Sequence, residues 1–482
     1  MLAQTSRRMW CSDFWEHAAV VRELATNPLS PRNPLISSGA PHAFYSPYAV
    51  LAGLISRATG MNSIRTLEWL GVANLALLLI SFRMFSDALL KRREAAFYLL
   101  LFTLVLWGRE AWEFSGFFHL RPLGQVLPYP STFATAVALC GVAIYDKALR
   151  SENLLWLALT ALACLIVALT HPTTLVFFSV CIFSLTLARA AASEGALRSR
   201  LRSFAFPLAC VFVLPLALAA LWPYYPFYRL LFENSAAYDA ACRGIYSDVL
   251  KQIWPALFGI PLLIWRFKSN RADPVSLITA ILVMIYAYGA FSHRWGLGRV
   301  ISHIVLMLHL CMADAVAQVE ASPWARISSS RALRIAFAGV VTLAVLSILY
   351  LDRGGLISCY MSNETSDYRR YEWLSGATGQ YDVVLSDLET SVYVPAFAGK
   401  VVGTSRVLHF VPDADARNQD VMRFLSTSCT RREREAIIRK YGVKWLLLNK
   451  ENVPGWATIA ESFRDRAQNE LSSSRFLLMR LK

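Results

Sequence analysis

Charged residues are scarce in this chain of 482 residues. Asp, Glu, Lys and Arg make up 17% of it, while hydrophobic residues make up 56%. Soluble domains carry about 25% charged and about 45–50% apolar residues, so this composition excludes a soluble globular fold for the whole chain. The apolar surplus lies within residues 67–351, and residues 352–482 have an ordinary globular composition.

Cysteine never occurs in clusters. None of the nine cysteines forms a Cys-x-x-Cys motif, and most lie in apolar runs, where cysteine behaves as a small hydrophobic residue. We therefore expect neither a disulfide framework nor a zinc site. Residues 1–10 are too short and too polar for a signal peptide, so we do not expect them to act as one.

Long apolar runs are what the sequence has instead. A bilayer core of about 30 Å requires roughly 17–25 apolar residues per helix. The sequence therefore predicts an α-helical polytopic membrane protein with about ten membrane helices. The runs lie at 67–87, 95–108, 131–146, 153–170, 173–189, 203–222, 251–267, 274–291, 300–317 and 333–351.

The net charge of +15 is distributed unevenly between the loops. Lys and Arg number fifteen along one set of loops, from Lys91 to Arg334, and six along the other set, from Arg109 to Arg299. Basic loops stay in the cytoplasm, so we expect the first set there, and residues 1–66 and 352–482 outside. No basic groove interleaved with aromatics indicates nucleic-acid binding.

Three parts of the chain are predicted: an outer-face loop with interfacial helices (1–66), a transmembrane bundle (67–351) and an extracytoplasmic α/β domain (352–482). Residues 44–60 are apolar but short, with Pro47 near their start, which favours a helix lying in the membrane interface. The alternative is that they span the membrane, which would move the N-terminal loop to the cytoplasm.

The C-terminal part alternates strand-like and helical patterns. Residues 382–385 and 444–448 are typical of buried strands, and 475–481 of a last strand. Thr430–Tyr441 is predicted as a helix that ends at Gly442. These elements indicate a small soluble α/β domain of three or four strands.

Residues 12–48 carry the clearest candidate chemistry. Asp13, Glu16 and His17 are spaced i, i+3 and i+4, so they share one face of a helix. A carboxylate and an imidazole at a membrane surface suit proton abstraction from a hydroxyl. Asp13-x-x-Glu16 is also a capping-box pattern, which would make Asp13 a helix start signal. Both readings stay open from spacing alone.

This segment resembles the first outer loop of the GT-C superfamily. An acid opens a short amphipathic helix, Asn27-Pro28 and Pro31 follow, and Tyr45-Ser46-Pro47-Tyr48 begins a helix that ends at Gly60. The C-terminal part is also similar to the outer domain of many bacterial members, which include protein O-mannosyltransferase and aminoarabinose transferase types. The resemblance implies that Asp13 is the catalytic base or a metal-associated acid, supported by Glu16 or His17.

The same resemblance implies a glycosyltransferase of the bacterial plasma membrane. Its donor would be a sugar linked to polyprenyl phosphate, and its acceptor a glycan, lipid or protein on the outer face. Some members need a divalent metal, so the resemblance leaves a cofactor requirement open. The superfamily also places a membrane helix before this loop. None precedes it here, so we expect either an upstream start or a loop held outside by the bundle.

Outer-face basic residues are candidates for donor binding. Arg299 and Arg294 lie just before a membrane helix, where a cation would neutralise the leaving phosphate. The alternative is that they extend to lipid headgroups. His119 and Arg121 in the second outer loop could contact donor or acceptor, or be solvated. His171 lies in a short turn at Pro172 and could equally bond that turn.

Two other classes of protein remain alternatives. A transporter or flippase for a lipid-linked substrate should contain repeats and interrupted helices with polar residues at mid-membrane. No convincing repeat is present, and the polar residues gather at the predicted outer edge. A non-catalytic membrane assembly subunit with a degenerate site is the third class.

Overall fold

The computed structural model describes residues 10, 13–108, 111–151, 153–192, 197–232, 236–321 and 366–482, with a few positions between 342 and 357. These residues form two compact units. The membrane unit contains residues 71–321 except 223–225, with the positions between 342 and 357. The α/β unit contains residues 10–70, 223–225 and 366–482. Each unit is described by itself below.

The α/β unit begins with two helices, α1 (Asp13–Thr26) and α2 (Pro47–Thr59). Ser46 caps α2 by accepting a hydrogen bond from the Ala49 backbone, and Gly60 ends the helix in the left-handed conformation with φ of 69°. At 1.5 Å per residue, α2 is about 20 Å long, which is too short for a bilayer core of about 30 Å. Its length thus favours the interfacial reading over the spanning one.

The membrane unit consists of helices. Among the described residues these are α3 (Ser63–Leu90), α4 (Ala95–Val105), α5 (Leu120–Val126), α6 (Pro130–Ser151), α7 (Leu154–Thr170), α8 (Pro172–Ala192), α9 (Leu197–Ala219), α10 (Phe227–Phe232), α11 (Ala236–Cys242), α12 (Val249–Ile253), α13 (Gly259–Ser269), α14 (Pro274–Phe291) and α15 (Ile301–Ala321).

Five helical segments in the described residues are long and apolar enough to cross a membrane: Ser63–Leu90, Pro130–Ser151, Pro172–Ala192, Pro274–Phe291 and Trp295–Gln318. Three shorter apolar helices accompany them, at Ala95–Val105, Leu154–Thr170 and Phe204–Ala219. The chain is therefore an integral membrane protein. The predicted tenth run, 333–351, falls largely outside the described residues, so the count of about ten stays a prediction.

The sequence pattern predicts one continuous helix over the run at 251–267. The structure shows that this run is interrupted. It is divided into α12, a 3₁₀ turn at Trp254–Phe258 and α13. Pro255 occupies the first turn of the 3₁₀ segment, and a proline has no backbone N–H to continue the preceding helix. Hydropathy alone could not indicate this break.

A cluster of buried charges ties three helices of the membrane unit together. Arg266 of α13 forms ion pairs with Asp273, at 2.7 Å, and with Asp314 of α15, at 2.5 Å. Asp273 also accepts from the Ser276 backbone and caps α14. These ion pairs take the place of the hydrogen bonds that the charged groups would otherwise make to water.

The C-terminal part of the α/β unit contains a five-stranded mixed sheet. Its strands are β1 (Val383–Leu385), β2 (Lys400–Val401), β3 (Val443–Asn449), β4 (Ala467–Ser472) and β5 (Phe476–Leu481), in the order β2-β1-β3-β5-β4. β1 pairs in parallel with β2 and β3, while β5 is antiparallel to β3 and β4. The helices are α16 (Asp367–Tyr371), α17 (Val394–Phe397), α18 (Ala414–Leu425), α19 (Arg431–Tyr441) and α20 (Trp456–Glu461).

The predicted elements of this part are confirmed with two additions. β1, β3 and β5 lie where the sequence predicts strands, and α19 begins at a Thr430 capping box and ends at Gly442, with φ of 62°. β2 and β4 were not predicted. β2 has only two residues and β4 is mostly exposed, so neither contains the apolar run by which a strand is recognised.

The N-terminal segment belongs to the same unit as this sheet. Ile36 forms an isolated parallel bridge with Val401, and the Val401 N–H donates to the carbonyl of Leu35 at 2.8 Å. Residues 35–36 thereby cover the edge of β2. This grouping joins residues that the predicted three-part division assigns to separate domains, and that division stays a prediction.

Candidate functional site

The acidic face of α1 is the centre of the candidate site. Asp13, Glu16 and His17 lie in the first two turns of this helix, as the i, i+3, i+4 spacing predicts. Their exposure differs sharply: the side chain of Asp13 is 42% exposed, that of Glu16 3%, and His17 is buried. Only Asp13 therefore presents a carboxylate to solvent.

Arg406 bridges the two carboxylates. Its Nε donates to Glu16 Oε2 at 2.8 Å, and its Nη2 donates to Asp13 Oδ1. The loop after β2 supplies this guanidinium, almost four hundred residues along the chain from α1. A guanidinium presents its donors in a fixed plane, so the two carboxylates are held in one mutual orientation.

His42 occupies the other side of Glu16. Its Nε2 lies 3.2 Å from Glu16 Oε1, and its Nδ1 accepts from the Phe44 backbone N–H at 3.3 Å. Because Nδ1 is an acceptor, the proton of neutral His42 belongs on Nε2, where it faces the carboxylate. The ring of His17 stacks on Phe44, with centroids 4.8 Å apart.

These surroundings determine the charge of Glu16. Burial by itself would raise its pKa, but the contacts with His42 and Arg406 outweigh burial and lower the pKa to about 2. The same pairing raises the pKa of Arg406 further, despite its burial. Glu16 is thus an ionised, enclosed carboxylate, which suits an electrostatic role better than proton transfer.

His17 is kept neutral. Burial lowers its pKa to about 4, although Asp13 and Glu16 act in the opposite direction. At neutral pH the imidazole is therefore uncharged and, with so low a pKa, a weak base. Its stacking on Phe44 fixes the plane of the ring.

The capping-box reading requires the Glu16 carboxylate to bind the backbone N–H at the helix start. Its two oxygens instead face His42 and Arg406. Residues 11 and 12, which precede α1, lie outside the described residues. The contacts of Glu16 favour a site role for the acidic face.

Arg299, in the membrane unit, contacts one loop and the helix α11. It lies in the 3₁₀ turn Trp295–Val300 just before α15. Its Nη2 donates to Ser115 Oγ at 2.8 Å and to the Ser115 carbonyl, and Nη1 donates to the Tyr238 hydroxyl at 3.3 Å. Arg294 stands at the start of the same turn and is exposed.

Two more of the predicted residues, His119 and Arg121, contact the segment 111–118. Buried His119 lies with its Nε2 2.9 Å from the Trp112 carbonyl, and burial lowers its pKa to about 4. The side chain of Arg121 lies 3.8 Å from Glu113. Arg299, His119 and Arg121 therefore all contact the segment 111–118.

His171 bonds the turn that it begins. Its Nδ1 lies 2.8 Å from Thr174 Oγ1 in the first turn of α8. The Thr174 hydroxyl lies in turn 3.5 Å from Thr135 of α6. This arrangement matches the turn-bonding alternative of the sequence reading.

Two residues of the acidic cluster were missed by sequence reasoning. His42 lies within the segment 12–48, but its position there carries no motif. Arg406 is one of many arginines in the C-terminal part and has no local signal at all. Their proximity to α1 comes only from the fold. Among the described residues, no group of three or more His, Cys, Asp or Glu side chains is arranged to hold a metal ion.

The fold shows which class of membrane protein this chain resembles. The chain has the fold of the GT-C membrane glycosyltransferases, as the resemblance of its N-terminal segment and its C-terminal part predicts. No family model and no curated protein matches the chain by sequence, so the likeness is one of structure.

ArnT from Cupriavidus metallidurans, solved with bound undecaprenyl phosphate, superposes with a TM-score of 0.58 at 11% identity, over 99% of this chain and 95% of that one. The oligosaccharyltransferase AglB from Archaeoglobus fulgidus, in complex with an inhibitory peptide and a dolichol-phosphate, gives 0.53 at 13% identity, over 98% and 71%. The apo oligosaccharyltransferase from the same organism gives 0.52 at 14% identity, over 94% and 67%.

Proposed function

We propose that this protein is a membrane glycosyltransferase that moves a sugar from a polyprenyl-phosphate donor to an acceptor on the outer face of the membrane. The half-exposed carboxylate of Asp13, held at one oxygen by Arg406 beside the enclosed Glu16, is the observation that carries the proposal. Solved structures of the same fold hold undecaprenyl phosphate or dolichol-phosphate, which supports a lipid-phosphate donor.

The proposed reaction is a single displacement. A hydroxyl oxygen of the acceptor attacks the anomeric carbon, and the bond from that carbon to the phosphate oxygen breaks. The proton of the hydroxyl passes to the Asp13 carboxylate, and the polyprenyl phosphate leaves with the electron pair of the broken bond. The anomeric configuration is inverted.

Asp13 fits the base because it is the exposed acid of the cluster, and a base must reach the proton that it removes. Glu16 keeps the charge of the cluster negative. Neutral His17 on the same face supports the transfer.

Arg299 is the proposed partner of the leaving phosphate, with Arg294 beside it. Cations that meet charge as it develops in the transition state give large rate effects. His119, Arg121 and His171 would position the donor or the acceptor. The acceptor itself is a glycan, a lipid or a protein.

The test is Asp13→Asn in the full-length protein. Asparagine caps a helix nearly as well as aspartate but cannot take a proton, so abundance should stay near normal while transfer falls by about 10²–10⁴-fold. The assay measures transfer of radiolabelled hexose or pentose from undecaprenyl phosphate in membranes, with the protein level measured alongside.

Asp13→Ala is the companion variant. It removes both the base and any capping oxygen, and should add a loss of about 1 kcal/mol of helix stability. If Asp13→Asn retains most of its transfer activity, Asp13 is not the base and the proposed mechanism is wrong. Uptake of the lipid-linked sugar without transfer would favour a transporter instead.

A further inference from the structure

Arg406 joins the two ends of the chain within the α/β unit. Its Nε and Nη2 serve different carboxylates, Glu16 and Asp13, so one rigid group sets the positions of both. The side chain of Arg406 is 23% exposed and that of Glu16 only 3%. Substrate cannot reach Glu16, whose carboxylate therefore serves the guanidinium rather than the reaction.

A second anchor holds the far end of α1 on the same segment. Glu23 lies seven residues after Glu16, on the same face of the helix. Its Oε2 pairs with Lys400 Nζ at 2.9 Å, and both side chains are buried. Arg22 donates to the carbonyls of Pro395 and Ala398. Residues 395–406 thus contact α1 from its first turn to its third.

We propose that Arg406 is a positioning residue for Asp13, and that the α/β domain thereby completes the acceptor-activating site. Arg406 acts through Asp13 and needs no contact with substrate. Its planar guanidinium fixes the direction of the carboxylate, and His42 Nε2 lies 3.2 Å from the opposite oxygen of Glu16. The inference rests on the proposed function, because it assigns Asp13 the role of base.

The charges around Glu16 support this arrangement. The groups that face it are Asp13 and His17 on α1, His42 from the following loop, and Arg406. Burial acts to raise the pKa of Glu16, and Arg406 and His42 oppose it. Removal of Arg406 should let Glu16 take a proton in mildly acidic solution. The variant would then lose activity at a higher pH than the wild type as the solution is acidified.

The experiment compares Arg406→Lys, Arg406→Gln and the double variant Glu16→Gln/Arg406→Gln. Arg406→Gln alone leaves a buried carboxylate without its cation, which by itself destabilises the unit. The double variant removes both charges and should fold close to normally. We expect its transfer activity to fall at least tenfold at unchanged donor KM, while Arg406→Lys recovers part of kcat.

Arg434→Gln is the matched control. Arg434 is a buried arginine of the same unit that donates to the carbonyls of Phe424 and Ser426 and does not contact α1. This variant should lower the amount of folded protein but leave kcat per folded molecule and the acid limb of the pH profile unchanged.

Hydrogen exchange of α1 in the full-length protein gives a readout that needs no donor. In the double variant, amides 13–20 should exchange at least tenfold faster, while α19 and the Glu23 end of α1 stay protected. Unchanged exchange at 13–20, or full activity of the double variant, would overturn the inference. If Asp13→Asn is fully active while exchange at 13–20 rises, the proposed function fails and the positioning contact stands.

Discussion

Asp13 and Glu16 are the same kind of group one helical turn apart, and their surroundings separate their roles. Glu16 is enclosed, with Arg406 at one oxygen and His42 3.2 Å from the other, and these neighbours outweigh burial and lower its pKa to about 2. Asp13 is 42% exposed and receives its bond from Arg406 at one oxygen. An acid that exchanges protons with a substrate needs an exposed environment such as that of Asp13. An acid that supplies a fixed negative charge needs an enclosed, ion-paired environment such as that of Glu16.

The lowered pKa of Glu16 predicts how stability depends on pH. Its carboxylate titrates near 4.5 when unfolded and near 2 when folded, so the folded state gains stability from it above pH 4.5. That gain, roughly 3 kcal/mol, is lost as pH falls from about 4.5 to about 2. Thermal unfolding of purified protein should show wild type losing its advantage over Glu16→Gln across this range.

Asp415→Asn is the control for this titration, because it removes an exposed carboxylate of the same unit. Its unfolding curve should run parallel to that of the wild type. A constant difference between wild type and Glu16→Gln from pH 5 to pH 2 would contradict the assignment of the charged pair.

Arg299 carries the prediction for the leaving group. Arg299→Ala should reduce transfer by about 10²-fold or more if the guanidinium stabilises the developing phosphate charge, and Arg299→Lys should keep part of the activity. Arg243→Ala, which removes an exposed arginine of the same unit, should have little effect. Equal and small losses for both Arg299 variants at normal protein level would favour the headgroup-contact alternative.

At the scale of elements, α1 is held on the α/β domain by buried charges. Glu23 and Lys400 are paired at 2.9 Å, and Lys400 also donates to the Pro34 carbonyl at 3.1 Å. Breaking one side of such a pair leaves the other charge buried without compensation. The docking of α1 therefore depends on both partners, and so does the site at its first turn.

Lys400→Met should destabilise the α/β unit by about 3–5 kcal/mol. The double variant Glu23→Gln/Lys400→Met should recover most of that loss. Lys444→Met breaks an exposed pair with Asp382 and should cost about 0–1 kcal/mol. Limited proteolysis of the full-length protein measures the three variants. Equal effects of Lys400→Met and Lys444→Met would show that the buried pair does not hold α1.

For the whole molecule, the charge asymmetry of the loops predicts orientation. Single cysteines introduced at positions 91, 198 and 270 should be protected from an impermeant reagent in intact cells, because basic loops stay in the cytoplasm. A cysteine at exposed position 432 should react. Labelling of position 198 from outside would reverse the model of topology and place the acidic cluster on the other face.

The sequence by itself determined the properties that depend on neighbouring residues. Bilayer thickness sets the length of an apolar run, so most membrane helices were predicted close to their bounds. Caps and turn residues are local as well, which is why the sequence indicates the caps of α19, Thr430 and Gly442. The shared face of Asp13, Glu16 and His17 follows from helical periodicity alone.

Only the tertiary structure decided what surrounds that face. Arg406 reaches Asp13 across 393 positions of the chain, and Ile36 pairs with Val401 at the edge of β2. No spacing rule links residues so far apart, because their meeting depends on how sheet and helices pack. The packing also enclosed Glu16 and left Asp13 exposed, and so gave two like carboxylates different chemistry.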